Sequence, residues 1–345
     1  MKKVISILLI MLLLVTLFAG CGNSANNQNT QSTTEETTMA PVDDYKPDST
    51  LRILMVGNSG CYYYLEELYD LLMENPPEGI EAVEVYNLYY SGCSMGQHYN
   101  WWLKDEANYD LFKTDVNGRV NLNNIHEKWS LEQALAWAEW DYISLHGAMP
   151  VDVIQPVMRP SVRDDLAAKA EPLFDRFHEL HPHAQLLWQR TWFFEVGYKG
   201  KLTYTAEDGV GYNEGIQMVG DYISEELDKD KPYDVIQVNT GGAWTIARTM
   251  NETRDLLPYG GLCAMLARNS FGDGRFGAGD GVHDGDIGGG QLLNAYVWFM
   301  TITGNRDLSI SSYAPVYHYG AQEYPLSAEL IDMLKTAAMG VFNKN

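Results

Sequence analysis

Hydrophobic positions along this chain follow two alternating rhythms, short apolar runs and longer stretches spaced by three and four. The run Leu51 to Ser59, LRILMVGNS, has Arg52 as its only charge and closes on Gly57, Asn58 and Ser59. It predicts a buried strand ending in a tight turn. Tyr64, Leu65, Leu68, Leu71 and Leu72 then repeat at helical spacing, so the turn leads into a helix. Further strands are predicted over Glu81 to Tyr90, Asp141 to Leu145, Ala184 to Arg190 and Tyr233 to Val238. Helices are predicted over Leu131 to Trp140, Ser161 to about His181, Asn213 to Leu227, beyond Gly241-Gly242, over Gln291 to Thr303, and from about Ser327. Residues 99–128, with the turn signal Val116-Asn117-Gly118-Arg119, read as an excursion that forms a hairpin. An aromatic, Gly-rich loop is expected after Arg190 as far as Gly211. Regular alternation of strand and helix implies a parallel sheet of about five strands covered on both faces, with right-handed crossovers. The fold class expected is α/β, a three-layer α/β/α, flavodoxin-like arrangement with loop insertions.

The amino terminus breaks this rhythm. Lys2 and Lys3 precede an apolar run from Val4 to Phe18, followed by Ala19, Gly20 and Cys21. Residues 1–20 therefore read as a secretory signal, too short and too one-sidedly flanked for a stable span. The ending Phe18-Ala19-Gly20-Cys21 resembles the bacterial lipobox, with Phe18 where that pattern prefers Leu. That resemblance implies an acylated Cys21 as mature amino terminus and an extracytoplasmic chain anchored to the membrane. Residues 21–49 are rich in Ser, Thr, Asn, Gln, Glu and Asp and too poor in apolar surface to repay ordering, so they read as a disordered tether. Residues 50–345 form one domain, with no repeat and no second linker.

Charge narrows the partners. The chain carries a net −22, and loss of Lys2 and Lys3 makes it more negative still. Such a surface repels nucleic acid and anionic lipid heads and favours neutral or cationic substrates. Besides Cys21 there are Cys61, Cys93 and Cys263, with no CxxC spacing, so neither a disulfide framework nor a zinc knuckle is supported. Cys61 with Cys93 is the single pair worth testing, since both follow strand ends on the same edge. Asp273, Asp280, Asp284 and Asp286 crowd a Gly-rich loop as hard-cation loops do, but without EF-hand spacing, so charge solvation by turns is the better account. His181 and His183 flank Pro182 and read as a helix-end feature. No metal and no cofactor is expected.

Candidate chemistry lies at two distant points. Ser59 sits where open α/β sheets keep their reactive groups, at a strand's carboxyl end, although a Ser there, taken alone, is more often the cap of the helix that follows. Gly279-Asp280-Gly281-Val282-His283 stands shortly before the last long helix. An Asp three residues before a His can hold one ring nitrogen while the other reaches outward. A hydroxyl, a base and an orienting carboxylate are what acyl transfer needs. Phosphate cradling is disfavoured, because neither GxGxxG nor GxxxxGK[ST] occurs at the first turn.

The combination of GNS after strand one, a Gly after strand two and DxxH before the last helix resembles the SGNH hydrolases, or GDSL-like lipases and esterases. That resemblance runs from Leu51 to about Gly304. It implies a nucleophile at Ser59, an orienting acid at Asp280, a general base at His283, and oxyanion donors at the N–H groups of Ser59 and Gly92. The superfamily's GxND block is absent; the chain reads Leu145-His146-Gly147-Ala148-Met149, which leaves His146 to stand as third donor or as a strand-closing residue. The function implied is a serine esterase acting on O-acyl, especially O-acetyl, esters of carbohydrates or small molecules. Trp101, Trp102, Tyr198, Tyr204 and Tyr212 would suit stacking on sugar rings, or packing of the insertions. The alternative is a surface lipoprotein that binds a glycan or small solute without chemistry.

Overall fold

A computed structural model describes residues 48–147, 160–195, 206–266 and 279–343 of the chain. The signal segment, Cys21 and most of the tether lie outside the described residues. The chain enters the sheet on β1 (Thr50–Gly57), makes a short 3-10 turn, and continues into α1 (Leu65–Glu74). β2 (Ala82–Tyr89), α2 (Met95–Leu103), β3 (Asp110–Asp115), β4 (Gly118–Asn121), α3 (Leu131–Leu135) and β5 (Tyr142–Gly147) follow. Next come α4 (Pro160–Leu180), β6 (Gln185–Arg190), α5 (Ala206–Tyr222), β7 (Val235–Val238), α6 (Thr240–Arg254) and α7 (Gly290–Thr303). A hairpin, β8 (Val316–Tyr319) and β9 (Gln322–Pro325), leads to α8 (Ala328–Gly340).

The main sheet has seven strands in the order β4-β3-β2-β1-β5-β6-β7. Its five parallel members are the five expected; β3 and β4 extend one edge as an antiparallel hairpin. The parallel order is that of flavodoxin-like sheets, whose switch point falls at the carboxyl end of β1, between β2 and β5. Side chains of β1 alternate as a strand's period of two requires. Leu51, Ile53 and Met55 join the core beneath α1, α6, α7 and α8, while Leu54 and Val56 join the core beneath α2, α3, α4 and α5.

Two elements depart from the expected pattern. Residues 95–103 are helical, started by a capping box in which Ser94 and Gln97 satisfy each other's backbone. α5 begins at Ala206, so its first turns replace part of the expected loop. Gly209 and Gly211 each cost a helix about 1 kcal/mol relative to Ala, and that local weakness hid it. The carboxyl-terminal segment closes one face: Ser327 caps α8 by accepting from Leu330 N–H at 3.1 Å, and Glu74 accepts from Ser312 N–H at 2.8 Å.

Candidate active site

β1 delivers Ser59 into a 3-10 turn, Ser59–Cys61, whose cap is Asn58. Asn58 Oδ1 accepts from Gly60 N–H at 2.9 Å, and its amide donates to the Cys93 carbonyl at 2.8 Å. The capping alternative for Ser59 is thus corrected: Asn58 does the capping, and α1 starts only at Leu65 with no side-chain cap bond. The second Asn58 bond ties the turn to the loop after β2. Tyr90 N–H also donates to the Gly57 carbonyl at 3.1 Å. Gly92 stands exposed on that loop with φ +66°, so it lies on the same sheet edge as Ser59. From below, Gln189 Nε2 donates to the Gly60 carbonyl, and Tyr64 Oη donates to Gln189 Oε1, each at 2.9 Å. Ser59 itself is 6% exposed.

His146 has no exposed surface and supports this turn from beneath. A Cβ placed on Gly60 would come within 2.5 Å of the His146 ring. Burial pushes the imidazole down to about 4, so it is neutral at ordinary pH. Sealed under the turn, its ring offers no N–H to a substrate oxyanion, and the expectation of a third donor at His146 is corrected on this ground. The same contact predicts that Gly60→Ala lowers stability by about 1–3 kcal/mol through overpacking. A thermal or denaturant melt reads that loss.

On the other side of the edge, Asp280 and His283 are in contact. His283 Nδ1 and Asp280 Oδ2 are 2.6 Å apart, while Asp280 Oδ1 accepts from the N–H groups of Val282 and His283 at 3.0 and 2.9 Å. Burial alone would raise the Asp280 carboxyl, yet the imidazole and the two backbone donors hold it well below the usual carboxylate range. A carboxylate there places a proton on Nδ1 and the lone pair on Nε2. Gly279 makes the loop possible: its φ is +72°, and a Cβ would strike the Cys263 carbonyl at 1.8 Å.

Two stacked indoles anchor this loop. Trp192 lies 4.6 Å from Trp244, nearly parallel, and donates to the Val282 carbonyl at 2.9 Å. Trp244 donates to Asn294 Oδ1 at 2.8 Å, and Asn294 donates to Asp284 Oδ2 at 3.1 Å. Neither indole nor Asn294 emerged as a positioning group from the sequence; their links cross between β6, α6 and α7, and no local pattern encodes such a link. The edge-on ring of Tyr63 lies 5.2 Å from the His283 ring, which brings the DxxH loop against the segment that carries Ser59.

Other expected features resolve differently. Cys61 and Cys93 do not form a disulfide: Cys61 Sγ bonds the Asn58 carbonyl and the Asn87 amide, and Cys93 Sγ lies 3.7 Å from the Ser94 carbonyl. Trp101 and Trp102 are half-buried packing residues, Trp101 against Tyr90 and Trp102 bonded to Glu132. Tyr198, Tyr204 and the side chain of Tyr212 lie outside the described residues, as does Asp273. Asp286 accepts from the N–H groups of Leu266 and Ile287, and Asp284 is sealed in the interior, so both serve the loop's own structure.

No family model matches the chain, and no curated protein matches it. Among solved structures, a DUF4886 family protein from Bacteroides uniformis superposes with TM-score 0.59 at 20% identity, covering 85% of this chain and 95% of that one. A candidate SGNH hydrolase from Slackia heliotrinireducens follows with TM-score 0.41 and 17% identity, covering 73% of this chain and 99% of that one. A candidate GDSL-like lipase from Parabacteroides merdae gives 0.42 and 16%, covering 76% and 99%. The chain therefore shares the α/β fold of the DUF4886 protein.

Proposed function

We propose that this chain is an SGNH-type serine esterase that cleaves O-acyl esters of carbohydrates or small molecules. The observation that carries the reading is the Asp280–His283 pair, held at 2.6 Å on a loop packed against Tyr63, at the sheet edge where β1 presents Ser59. Substrate binding draws the Ser59 hydroxyl and His283 Nε2 together, as apo sites commonly require. Ser59 Oγ attacks the ester carbonyl and passes its proton to Nε2. The N–H groups of Ser59 and Gly92 receive the oxyanion. Collapse releases the alcohol with that proton, and a water activated by His283 then frees the acid and regenerates Ser59. The acidic surface suits a neutral ester. Export through residues 1–20 and anchoring at Cys21 would place this chemistry outside the cytoplasm.

A fluorophosphonate tests the reading directly, because it phosphonylates only an activated serine. Labelling of one site, lost in Ser59→Ala, is expected. A second reading, a tethered binder without turnover, draws on the absent GxND block after β5 and the sealed His146. An unlabelled Ser59 together with saturable glycan binding would decide for it.

A further inference from the structure

At the opposite edge of the sheet, three side chains converge that the proposed chemistry does not use. Glu139 lies in the connection from α3 to β5, and His181 and His183 lie in the connection from α4 to β6. Their ligand atoms all lie within 4.8 Å of one another. His181 Nδ1 is 3.6 Å and His183 Nε2 3.7 Å from the same oxygen, Glu139 Oε2. The two rings are nearly perpendicular, at 81°.

The protons are already arranged for a metal. His181 Nε2 is 3.0 Å from the Leu135 carbonyl. A carbonyl only accepts, so that nitrogen carries the hydrogen and the lone pair of the neutral ring is on Nδ1. Fixing one imidazole nitrogen to a backbone carbonyl so that the other faces an ion is the usual outer-shell device of histidine metal sites. His181 Nδ1 is buried and makes no hydrogen bond, with Glu139 beyond reach of one. An imidazole nitrogen aimed into a buried gap otherwise carries an uncompensated cost. In a tetrahedral site with bonds of about 2.1 Å, neighbouring ligands stand about 3.4 Å apart. The separations of the two imidazole nitrogens from Glu139 Oε2, 3.6 and 3.7 Å, are within a few tenths of an ångström of that.

From this geometry we infer that Glu139, His181 and His183 form a binding site for a divalent transition ion of the zinc type. Two imidazoles and one carboxylate match that ion's donor preference, and the 64% exposure of the Glu139 side chain leaves water to complete the coordination. The site is a staple rather than a second catalytic centre. It joins the two loops that feed the adjacent strands β5 and β6, already linked by the Gln185 N–H to Asp141 carbonyl bond of 2.8 Å. A strand's length, about 20 Å, separates it from the edge that bears Ser59.

The test is zinc titration of the chelator-stripped protein by calorimetry and by thermal shift, with His183→Ala, Glu139→Gln and the remote exposed His318→Ala as variants. One ion per chain is expected, with a melting temperature raised by about 5 °C at a hundredfold excess over Kd. Affinity should fall about 100-fold or more in His183→Ala and Glu139→Gln and stay unchanged in His318→Ala. Absence of saturable binding by the parent protein overturns the inference, and so does an affinity that both ligand variants leave unaltered. Neither readout involves ester hydrolysis, so the outcome is independent of the function proposed for Ser59.

Discussion

Ser59→Ala is expected to lower kcat/KM for an aryl acetate by about 10⁴-fold or more, with no matching loss of stability. The hydroxyl is needed only for chemistry: the turn around it is held by Asn58, Gln189 and the underlying His146, and none of those contacts involves Ser59 Oγ. His283→Ala should fall as far, because a hydroxyl without a base is a weak nucleophile. Asp280→Asn is the more telling variant. It keeps the shape of the loop, but the Asn amide donates toward Nδ1 and forces the imidazole proton onto Nε2, which spoils the base; a loss of about 10⁴-fold is expected. Because the three groups act as one relay, the Ser59→Ala/His283→Ala double variant should be no slower than either single one. Undiminished turnover in Ser59→Ala would falsify the relay. A loss of activity in Asp280→Asn that tracks a loss of fold would reduce that carboxylate to a structural role.

The sequence made the sheet legible because the central parallel strands β1, β5 and β6 are short, mainly apolar runs buried on both faces, and periodicity reports burial well. Thr50–Gly57 and Gln185–Arg190 fall within a residue or two of the expected runs. The DxxH contact was legible for a similar reason, since Asp280 and His283 are near neighbours in the chain and their geometry is local. What stayed hidden is what crosses between elements. His146 at a strand end could be read as a donor or as a strand-closing residue; only the packing of Gly57 and Gly60 against it shows how it is sealed off. The two-Trp brace under Val282 and Asp284, and the meeting of Glu139 with the His181-Pro182-His183 turn, likewise depend on which loops the fold brings together. α2 was missed although Ser94 and Gln97 spell a capping box, because Trp101 and Trp102 suggested an extended excursion.

Stability of the folded chain should fall as pH rises from about 6.5 to 8, and the cause is a pair of sealed carboxyls. Burial pushes Glu67 up to about 8, although Tyr317 Oη donates to its Oε1 at 3.2 Å. Burial likewise pushes Asp284 up to about 8, against the stabilising Asn294 amide. Oε2 of Glu67 and Oδ1 of Asp284 make no hydrogen bond at all, which suits a protonated acid better than a carboxylate. Unfolded, both groups ionise near pH 4. Across this window the folded state therefore holds protons that the unfolded state has lost, and raising the pH favours unfolding by about 1.4 kcal/mol per unit for each group. Together they amount to about 3 kcal/mol between pH 6.5 and 8, since the folded groups are themselves half ionised at the upper end. Below about pH 6.5 the sign is contested. Burial lowers His98 to about 3 and His146 to about 4, so acid favours the unfolded chain, whose imidazoles charge first, and the low-lying Asp280 carboxylate adds to that loss only near pH 4 and below. The two effects nearly cancel between about pH 4.5 and 6, so a plateau of stability there follows. Denaturant melts at half-unit steps should show the alkaline slope, and Glu67→Gln with Asp284→Asn should flatten it, each by about half. A slope that persists in the double variant would place the titrating groups elsewhere.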